Sequence, residues 1–92
     1  LDHIGEQFEG IITSVMSFGM FVELPNMIEG LIRIDDLADD YYQYDEATFS
    51  SVGRASHKRY QIGDKIKVEV KSASKLAGTI DFVVADKMVK HR

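Results

Sequence analysis

The sequence predicts an all-β domain, and three features of its 92 residues indicate this fold class. β-branched and aromatic residues recur in short runs, turn signals separate the runs about every ten positions, and long helical periodicity is missing. A chain of this length builds one domain with a modest core and is too short to divide. We therefore treat residues 1–92 as one domain, built as a small antiparallel barrel or sandwich.

The first predicted strand covers residues 8–16 and is irregular. It contains Gly10, and its strongest apolar positions, Ile12 and Val15, fall out of a two-residue period. A glycine inside a strand and a change of period both indicate a bulge or a sharp bend. Such a strand can serve two faces of a small barrel.

The second predicted strand, which begins at Gly19, alternates cleanly between two faces. Its apolar positions, predicted to fill the core, are Met20, Val22 and Leu24. Phe21 and Glu23 take the opposite face. Phe21 is therefore predicted to point away from the core.

The third predicted strand, residues 28–34, follows the turn in "PNMIEG". The positions that share an inward parity are Ile28, Ile32 and Ile34. Arg33 opposes them. Leu31 lies on the side of Arg33, but its orientation stays open because Gly30 can break the register.

Residues 35–60 form an acidic, aromatic connection that is longer than most connections in compact domains. Within it we predict a short hairpin that pairs residues 41–46 with residues 49–54. In "KIKVEVK", residues 65–71, the apolar positions face inward and the charged positions face outward. "SKLAG" then predicts a hairpin into the fifth strand, residues 79–85. The inward positions of this last strand are Ile80, Phe82 and Val84.

Five antiparallel strands with a long connection between the third and fourth predict a five-stranded Greek-key barrel, the OB-fold, whose second and third strands form a binding face. On that face, an outward pair of phenylalanines, Phe18 and Phe21, suits the stacking of unpaired bases, at roughly 1–3 kcal/mol per base. Arg33, Lys65 and Lys67 add cations that contact phosphate. From the pattern alone, the alternative stays open that Phe18 plugs the barrel and that the lysines only protect strand edges.

Net charge by itself argues against nucleic acid, because 15 acidic and 11 basic residues give −4. The distribution is uneven, however. Acidic residues concentrate in residues 35–46, whereas ten of the eleven Lys and Arg residues lie at or after Arg54. One surface can therefore be basic, and the combination of aromatics and cations favours single-stranded nucleic acid as the ligand.

Catalysis and membrane insertion find little support in the sequence. The carboxylates of residues 35–46 have no accompanying nucleophile or phosphate cradle, so we predict neither a catalytic nor a metal site and no cofactor for this domain. The scattered histidines, His3, His57 and His91, lack the spacing of a metal site. The sequence contains no cysteine, no apolar run of about 18 residues and no signal peptide. We expect a cytoplasmic monomer with no membrane partner.

One stretch carries a family resemblance: "FEGIITSVMSFGMFVELPNMIEGLIRIDDL", followed by "GDKIKVEV". It resembles the ribosomal protein S-one type of RNA-binding domain, whose pattern runs Gly-x-Val, Phe-Gly-x-Phe-Val and Glu-Gly-Leu-Val-His-Ile. The resemblance implies that Phe18 and Phe21 stack on RNA bases and that Arg33 replaces a common histidine. It also places Asp64 and Lys67 near the binding edge.

The middle of the chain narrows the resemblance. "DDYYQYDEATFSSVGRASHKRYQIGDKIKV" is similar to the version of this domain in RNase R type exoribonucleases. This implies that the chain is a segment of a larger protein that degrades RNA hydrolytically from the 3′ end. That protein would use Mg²⁺ in a catalytic domain of the same polypeptide, and this segment would grip single-stranded RNA. The alternative is a protein-interaction module that docks through the tyrosines of the acidic segment, Tyr41, Tyr42 and Tyr44.

Overall fold

In the computed structural model, which describes residues 4–74 and 78–85, the chain forms eight β-strands and one short 3-10 helix. The strands are β1 (Gln7–Met16), β2 (Gly19–Glu23), β3 (Glu29–Arg33), β4 (Tyr42–Asp45), β5 (Ser50–Gly53), β6 (Arg59–Gln61), β7 (Lys65–Ser74) and β8 (Thr79–Val84). The 3-10 helix, Ile34–Asp36, follows β3 directly. The all-β prediction is confirmed.

Five strands close into a barrel in the order β1-β2-β3-β8-β7. All neighbouring pairs are antiparallel except β3 and β8, which run parallel with Leu31 opposite Asp81. The five-stranded barrel is thus confirmed, but the prediction that all its strands are antiparallel is wrong. Strict alternation of direction is impossible in a closed ring with an odd number of strands, so at least one pair has to be parallel.

Apolar side chains fill the barrel interior, and alternation predicted all of those with no exposed surface except Ile12, which lies next to the β1 bulge. The core side chains with no exposed surface are Ile12, Met20, Val22, Ile32, Val68 and Phe82. Ile80 and Val84 are partly buried and pack against this core. Gly30 lies against the Phe82 ring, where an added Cβ would come within 2.6 Å of a ring carbon. A side chain at position 30 would therefore displace Phe82, the largest of the fully buried side chains.

The predicted bulge in β1 and the predicted orientation of Ile28 have different outcomes. The bulge in β1 is confirmed, because its register against β2 shifts between Ile12 and Ser14. The inward orientation of Ile28 is wrong, since this side chain is 39% exposed. Ile28 lies in the turn before β3, where its carbonyl accepts a hydrogen bond from the N–H of Leu24. The alternation of the strand therefore does not yet orient its side chain.

The long connection forms a sheet of its own, in the order β4-β5-β6. The predicted hairpin is confirmed as β4 and β5, with Tyr42 opposite Gly53. β6 was not predicted from the sequence, because it has only three residues and one apolar position. That position, Tyr60, packs against Tyr42 with ring centroids 5.5 Å apart, and both rings belong to the barrel core. The connection is therefore anchored to the barrel rather than free of it.

Some predicted features fall partly outside the described residues. The β7–β8 hairpin is confirmed by pairing from Val68 opposite Val84 to Ser74 opposite Thr79, but residues 75–77 of its turn are not among those the structure describes. His3 and His91 also lie outside the described residues.

Candidate nucleic-acid interface

Phe21 lies on the outer face of the barrel, as its parity in β2 predicts. Its neighbours Met20 and Val22 are fully buried, whereas Phe21 is half-buried. Across the sheet it pairs with Ser14 on β1 and Leu31 on β3. Leu31, left open by the sequence, is also half-buried and therefore extends the apolar surface beside the Phe21 ring.

Phe18 lies in the turn between β1 and β2, and 52% of its surface is exposed. Its backbone carbonyl accepts a hydrogen bond from the N–H of Ile34 at 2.8 Å, which ties the turn to the end of β3. The rings of Phe18 and Phe21 meet edge to face, with centroids 6.2 Å apart. Phe18 is therefore not a plug of the barrel, and the two rings form one continuous aromatic surface.

Gly19 lets this turn approach β3 closely. It pairs with Arg33, and a Cβ at position 19 would overlap the carbonyl oxygen of Ile32. The glycine of the Phe-Gly-x-Phe motif thus places both phenylalanines and Arg33 at one end of the same face. We call Phe18, Phe21, Leu31 and Arg33 the aromatic cluster.

Arg33 is exposed at the end of β3 and forms an ion pair with Asp81 of β8, with Nε 3.5 Å from Oδ1. The other oxygen of Asp81 accepts a hydrogen bond from the Ser72 hydroxyl at 3.0 Å. Asp81 was not among the site residues predicted from the sequence. Its position between the inward Ile80 and Phe82 was the available signal, because that parity places it on the outer face.

The predicted lysines lie on the far side of β1 from the aromatic cluster. Both are exposed on β7, where Lys65 pairs with Ile11 and Lys67 pairs with Glu9. Between Lys65 and β2 runs a groove of about 380 Å³, and Ile11, Thr13 and Glu23 are among its lining residues. The structure therefore brings the predicted residues Phe18, Phe21 and Arg33 together. Lys65 and Lys67 lie apart from them on the same outer surface.

Asp64 occupies the turn before β7. Its carboxylate accepts a hydrogen bond from the N–H of Gln61 at 3.1 Å, and its carbonyl accepts one from the N–H of Ile12 at 3.0 Å. The bond with Ile12 ties the turn to β1, and the bond with Gln61 ties it to the end of β6. In this structure Asp64 positions the neighbouring Lys65 rather than offering a free side chain.

The acidic segment is ordered by its own hydrogen bonds. The carboxylate of Asp40 accepts bonds from the backbone N–H and the hydroxyl of Ser56, each at 2.8 Å, and from the N–H of Ala55. These bonds, above all the one from the Ser56 N–H, lower the pKa of Asp40 to about 2. Within residues 4–74 and 78–85, no three carboxylate or histidine side chains come together as a metal site. Asp40 therefore stabilises the β5–β6 loop.

The three tyrosines of this segment differ in exposure. Tyr42 is buried, and its hydroxyl donates to Asp39 at 3.2 Å. Tyr44 is partly buried and packs against the core, whereas Tyr41 is 80% exposed. Of the three predicted anchors for a protein partner, two are used by the fold itself.

In the part of the chain that the structure covers, no helix is long and apolar enough to cross a membrane.

Comparison with known proteins identifies relatives over most of the chain. Residues 1–84 match the family model of the S1 RNA binding domain. Ribonuclease R 1 of Lactococcus lactis is 47% identical over 81 residues, which cover 88% of this chain and 10% of that protein. Ribonuclease R of Escherichia coli is 37% identical over 83 residues, covering 89% of this chain and 10% of that protein. The chain thus spans about a tenth of the length of these relatives.

Solved structures agree with these relatives. RNase R of Mycoplasma genitalium in its apo form superposes with a TM-score of 0.84 at 28% identity, over 89% of this chain and 13% of that one. The same enzyme in complex with ribose methylated single-stranded RNA gives the same values. The barrel, the motif spacing and the matching family model lead to one conclusion: the chain belongs to the S1 RNA binding domain family, in the version similar to that of ribonuclease R.

Proposed function

We propose that this chain binds single-stranded RNA and serves as the substrate-gripping module of an RNase R type 3′-5′ exoribonuclease. The observation that carries the proposal is the aromatic cluster, in which two contacting rings lie on the outer face of the barrel beside an arginine. The proposal is also supported by the similar RNase R of Mycoplasma genitalium, whose structure was solved in complex with single-stranded RNA.

Binding would proceed through stacking and phosphate contacts. Unpaired bases stack on the exposed face of Phe21 and on Phe18, and Leu31 widens the apolar surface below them. Arg33 donates to a phosphate beside the stacked bases. Lys65 and Lys67, set across β1, contact the backbone farther along the strand, and Asp64 holds the turn from which Lys65 projects.

The catalytic step would belong to another part of the same polypeptide. Because this chain spans about a tenth of its ribonuclease R relatives, most of such a protein lies outside it. We propose that a catalytic domain there hydrolyses RNA from the 3′ end with Mg²⁺ and releases nucleoside monophosphates. We propose further that the protein acts as a monomer in the cytoplasm. This proposal is tested by incubating the 92-residue chain with labelled RNA and Mg²⁺, which should leave the RNA intact.

The competing function, protein docking through the acidic tyrosines, has less support. Tyr42 and Tyr44 are committed to the core, so only Tyr41 of the three is free to act as an anchor. An NMR titration separates the two functions. RNA should shift the amide signals of β2 and β3 on our proposal, whereas RNA that leaves β2 unchanged, with a protein partner shifting Tyr41, would favour docking.

The central test measures affinity for a short labelled oligo(A) RNA by fluorescence anisotropy. Phe21→Ala should weaken binding about 5- to 150-fold, the equivalent of one lost base stack, and Phe18→Ala should act in the same direction. Tyr41→Ala is the matched control, since it removes an exposed aromatic ring just before β4 and should leave the affinity unchanged. Wild-type affinity in both phenylalanine variants would refute the proposed site.

A further inference from the structure

The interaction between Arg33 and Asp81 assigns a role to an acidic residue in the middle of a surface proposed to bind a polyanion. We propose that Asp81 is a positioning residue: it holds Arg33 through Nε, so that the terminal nitrogens of the guanidinium are presented to an RNA phosphate. This inference rests on the proposed function and adds a residue that acts on RNA only through Arg33.

Asp81 is fixed from two sides. Its Oδ2 accepts the hydroxyl hydrogen of Ser72 on β7. Its backbone pairs with Ser72 on one side and with Leu31 of β3 on the other. Asp81 therefore has the rigidity of two strand pairings and a side-chain hydrogen bond, and it lies in the same row of the sheet as Leu31 and Phe21.

The other carboxylate oxygen of Asp81, Oδ1, faces Arg33. Oδ1 of Asp81 is buried and has no hydrogen-bond partner among the described residues, and it lies 3.5 Å from Nε of Arg33. A buried carboxylate oxygen without compensation is strongly unfavourable. The guanidinium supplies that compensation, so departure of Arg33 would leave the charge of Asp81 uncompensated. Arg33 is therefore restrained at this place before any ligand arrives.

Asp81 contacts only one side of the Arg33 guanidinium. The guanidinium has five N–H donors in a planar fork, and the pairing with Asp81 engages its Nε side. The two terminal nitrogens form the edge that binds phosphate in a bidentate manner. The Arg33 side chain is 57% exposed, which leaves that edge accessible. Restraint in a binding-competent position lowers the entropic cost of ordering the side chain on association.

This role predicts an effect opposite to that of charge alone. Asp81 is negative, and removal of a negative charge near RNA should tighten binding if only long-range electrostatics matter. If Asp81 positions Arg33, its neutralisation should weaken binding despite the improved net charge. The sign of the change therefore separates the two explanations.

The experiment measures oligo(A) affinity by anisotropy for Asp81→Asn, which keeps the shape of the side chain and an acceptor for Ser72. We expect a loss of about 3- to 10-fold, less than loss of a whole charged contact because Arg33 remains. Asp35→Asn is the matched control: it removes an exposed negative charge after β3, and binding should stay equal or tighten. Tighter or unchanged binding by Asp81→Asn would overturn the inference.

A double-mutant cycle tests whether the effect runs through Arg33. In the Arg33→Ala background, Asp81→Asn should cause no further loss. An equal loss in that background would mean a merely structural role and would also reject the inference. Should Asp81→Asn fail to fold, Ser72→Ala tests the same restraint and should weaken binding in the same direction.

The outcomes separate this inference from the proposed function. If Phe21→Ala weakens RNA binding while Asp81→Asn does not, only the positioning role of Asp81 is wrong. If Phe21→Ala and Phe18→Ala both keep wild-type affinity, the proposed RNA site itself is wrong.

Discussion

Phe18 and Phe21 contact each other edge to face, with ring planes at 84° and centroids 6.2 Å apart, although one ring belongs to a turn and the other to a strand. Such aromatic pairs contribute about 0.5–1.5 kcal/mol beyond the burial of their area. The ring of Phe18 therefore supports that of Phe21, and each ring contributes to the binding surface partly through the other.

This contact predicts that the two phenylalanines act cooperatively in RNA binding. The loss of binding free energy in the Phe18→Ala/Phe21→Ala double variant should be smaller than the sum of the single losses, by about 0.5–1.5 kcal/mol. Anisotropy titrations of the four proteins with oligo(A) measure this difference. A cycle of Phe21→Ala with Tyr41→Ala should be additive, and additivity in both cycles would mean that the ring contact has no part in binding.

A second prediction concerns the dependence of RNA affinity on salt. Each phosphate contact with single-stranded nucleic acid contributes about −0.7 to the slope of log K against log salt concentration, so contacts from Arg33, Lys65 and Lys67 give about −2. Arg33→Ala should make the slope shallower by about 0.7. Titrations over a range of KCl concentrations provide the values, and a slope much steeper than three contacts allow would indicate cations outside the predicted set.

Gly19 provides a third prediction, on stability. A Cβ at this position overlaps the backbone carbonyl of Ile32, and backbone cannot move aside as a flexible side chain can. Gly19→Ala should therefore destabilise the domain by about 3 kcal/mol or more. Urea unfolding of the variant and the wild type measures this loss of stability.

Gly63→Ala is the matched control for Gly19→Ala. Gly63 has φ +96° and nothing within 4 Å of an added Cβ, so only backbone strain of about 1–2 kcal/mol applies. If both variants lost the same stability, close approach of the turn to β3 would not be the reason for glycine at position 19.

Asp40 gives a prediction on the pH dependence of stability. Because hydrogen bonds lower its folded-state pKa from 3.8 to about 2, its contribution is complete above about pH 4 and is lost as the pH falls toward 2. Asp40→Asn should thus be less stable than the wild type at pH 7, with the difference shrinking between pH 4 and pH 2. Urea titrations of both proteins across this range test it. A difference that persisted unchanged at pH 2 would contradict the assignment.

Tyr42 gives the corresponding prediction at alkaline pH. Burial, with the neighbouring Tyr60 and Asp39, raises the pKa of its hydroxyl, so the folded state favours the protonated form. Its contribution is present below the ordinary tyrosine pKa of about 10 and is lost as the pH rises above it. Tyr42→Phe should cost about 1 kcal/mol at pH 7 and reduce the loss of stability above about pH 10. Tyr41→Phe, at an exposed position, is the control and should leave the stability at pH 7 unchanged. An equal loss of stability at pH 7 in both variants would contradict this prediction.

The sequence by itself determined the barrel strands and the outward position of Phe21. Both follow from local periodicity: Met20, Val22 and Leu24 have to be buried together, and a period of two then places Phe21 on the other face. The motif spacing likewise fixed the family, since the turn residue Gly19 and the flanking phenylalanines lie within four positions of one another.

Only the tertiary structure decided which side chains meet across the sheet. The pairing of β3 with β8 brings Asp81 to Arg33, 48 positions apart in sequence, and no local pattern records that closure. The sheet built by the long connection buries Tyr42 and Tyr60 but leaves Tyr41 exposed, because packing of β4 and β6 against the barrel, rather than residue type, selects which ring is covered. Periodicity encodes the face on which a residue lies, whereas its partner depends on register and on how the ring of strands closes.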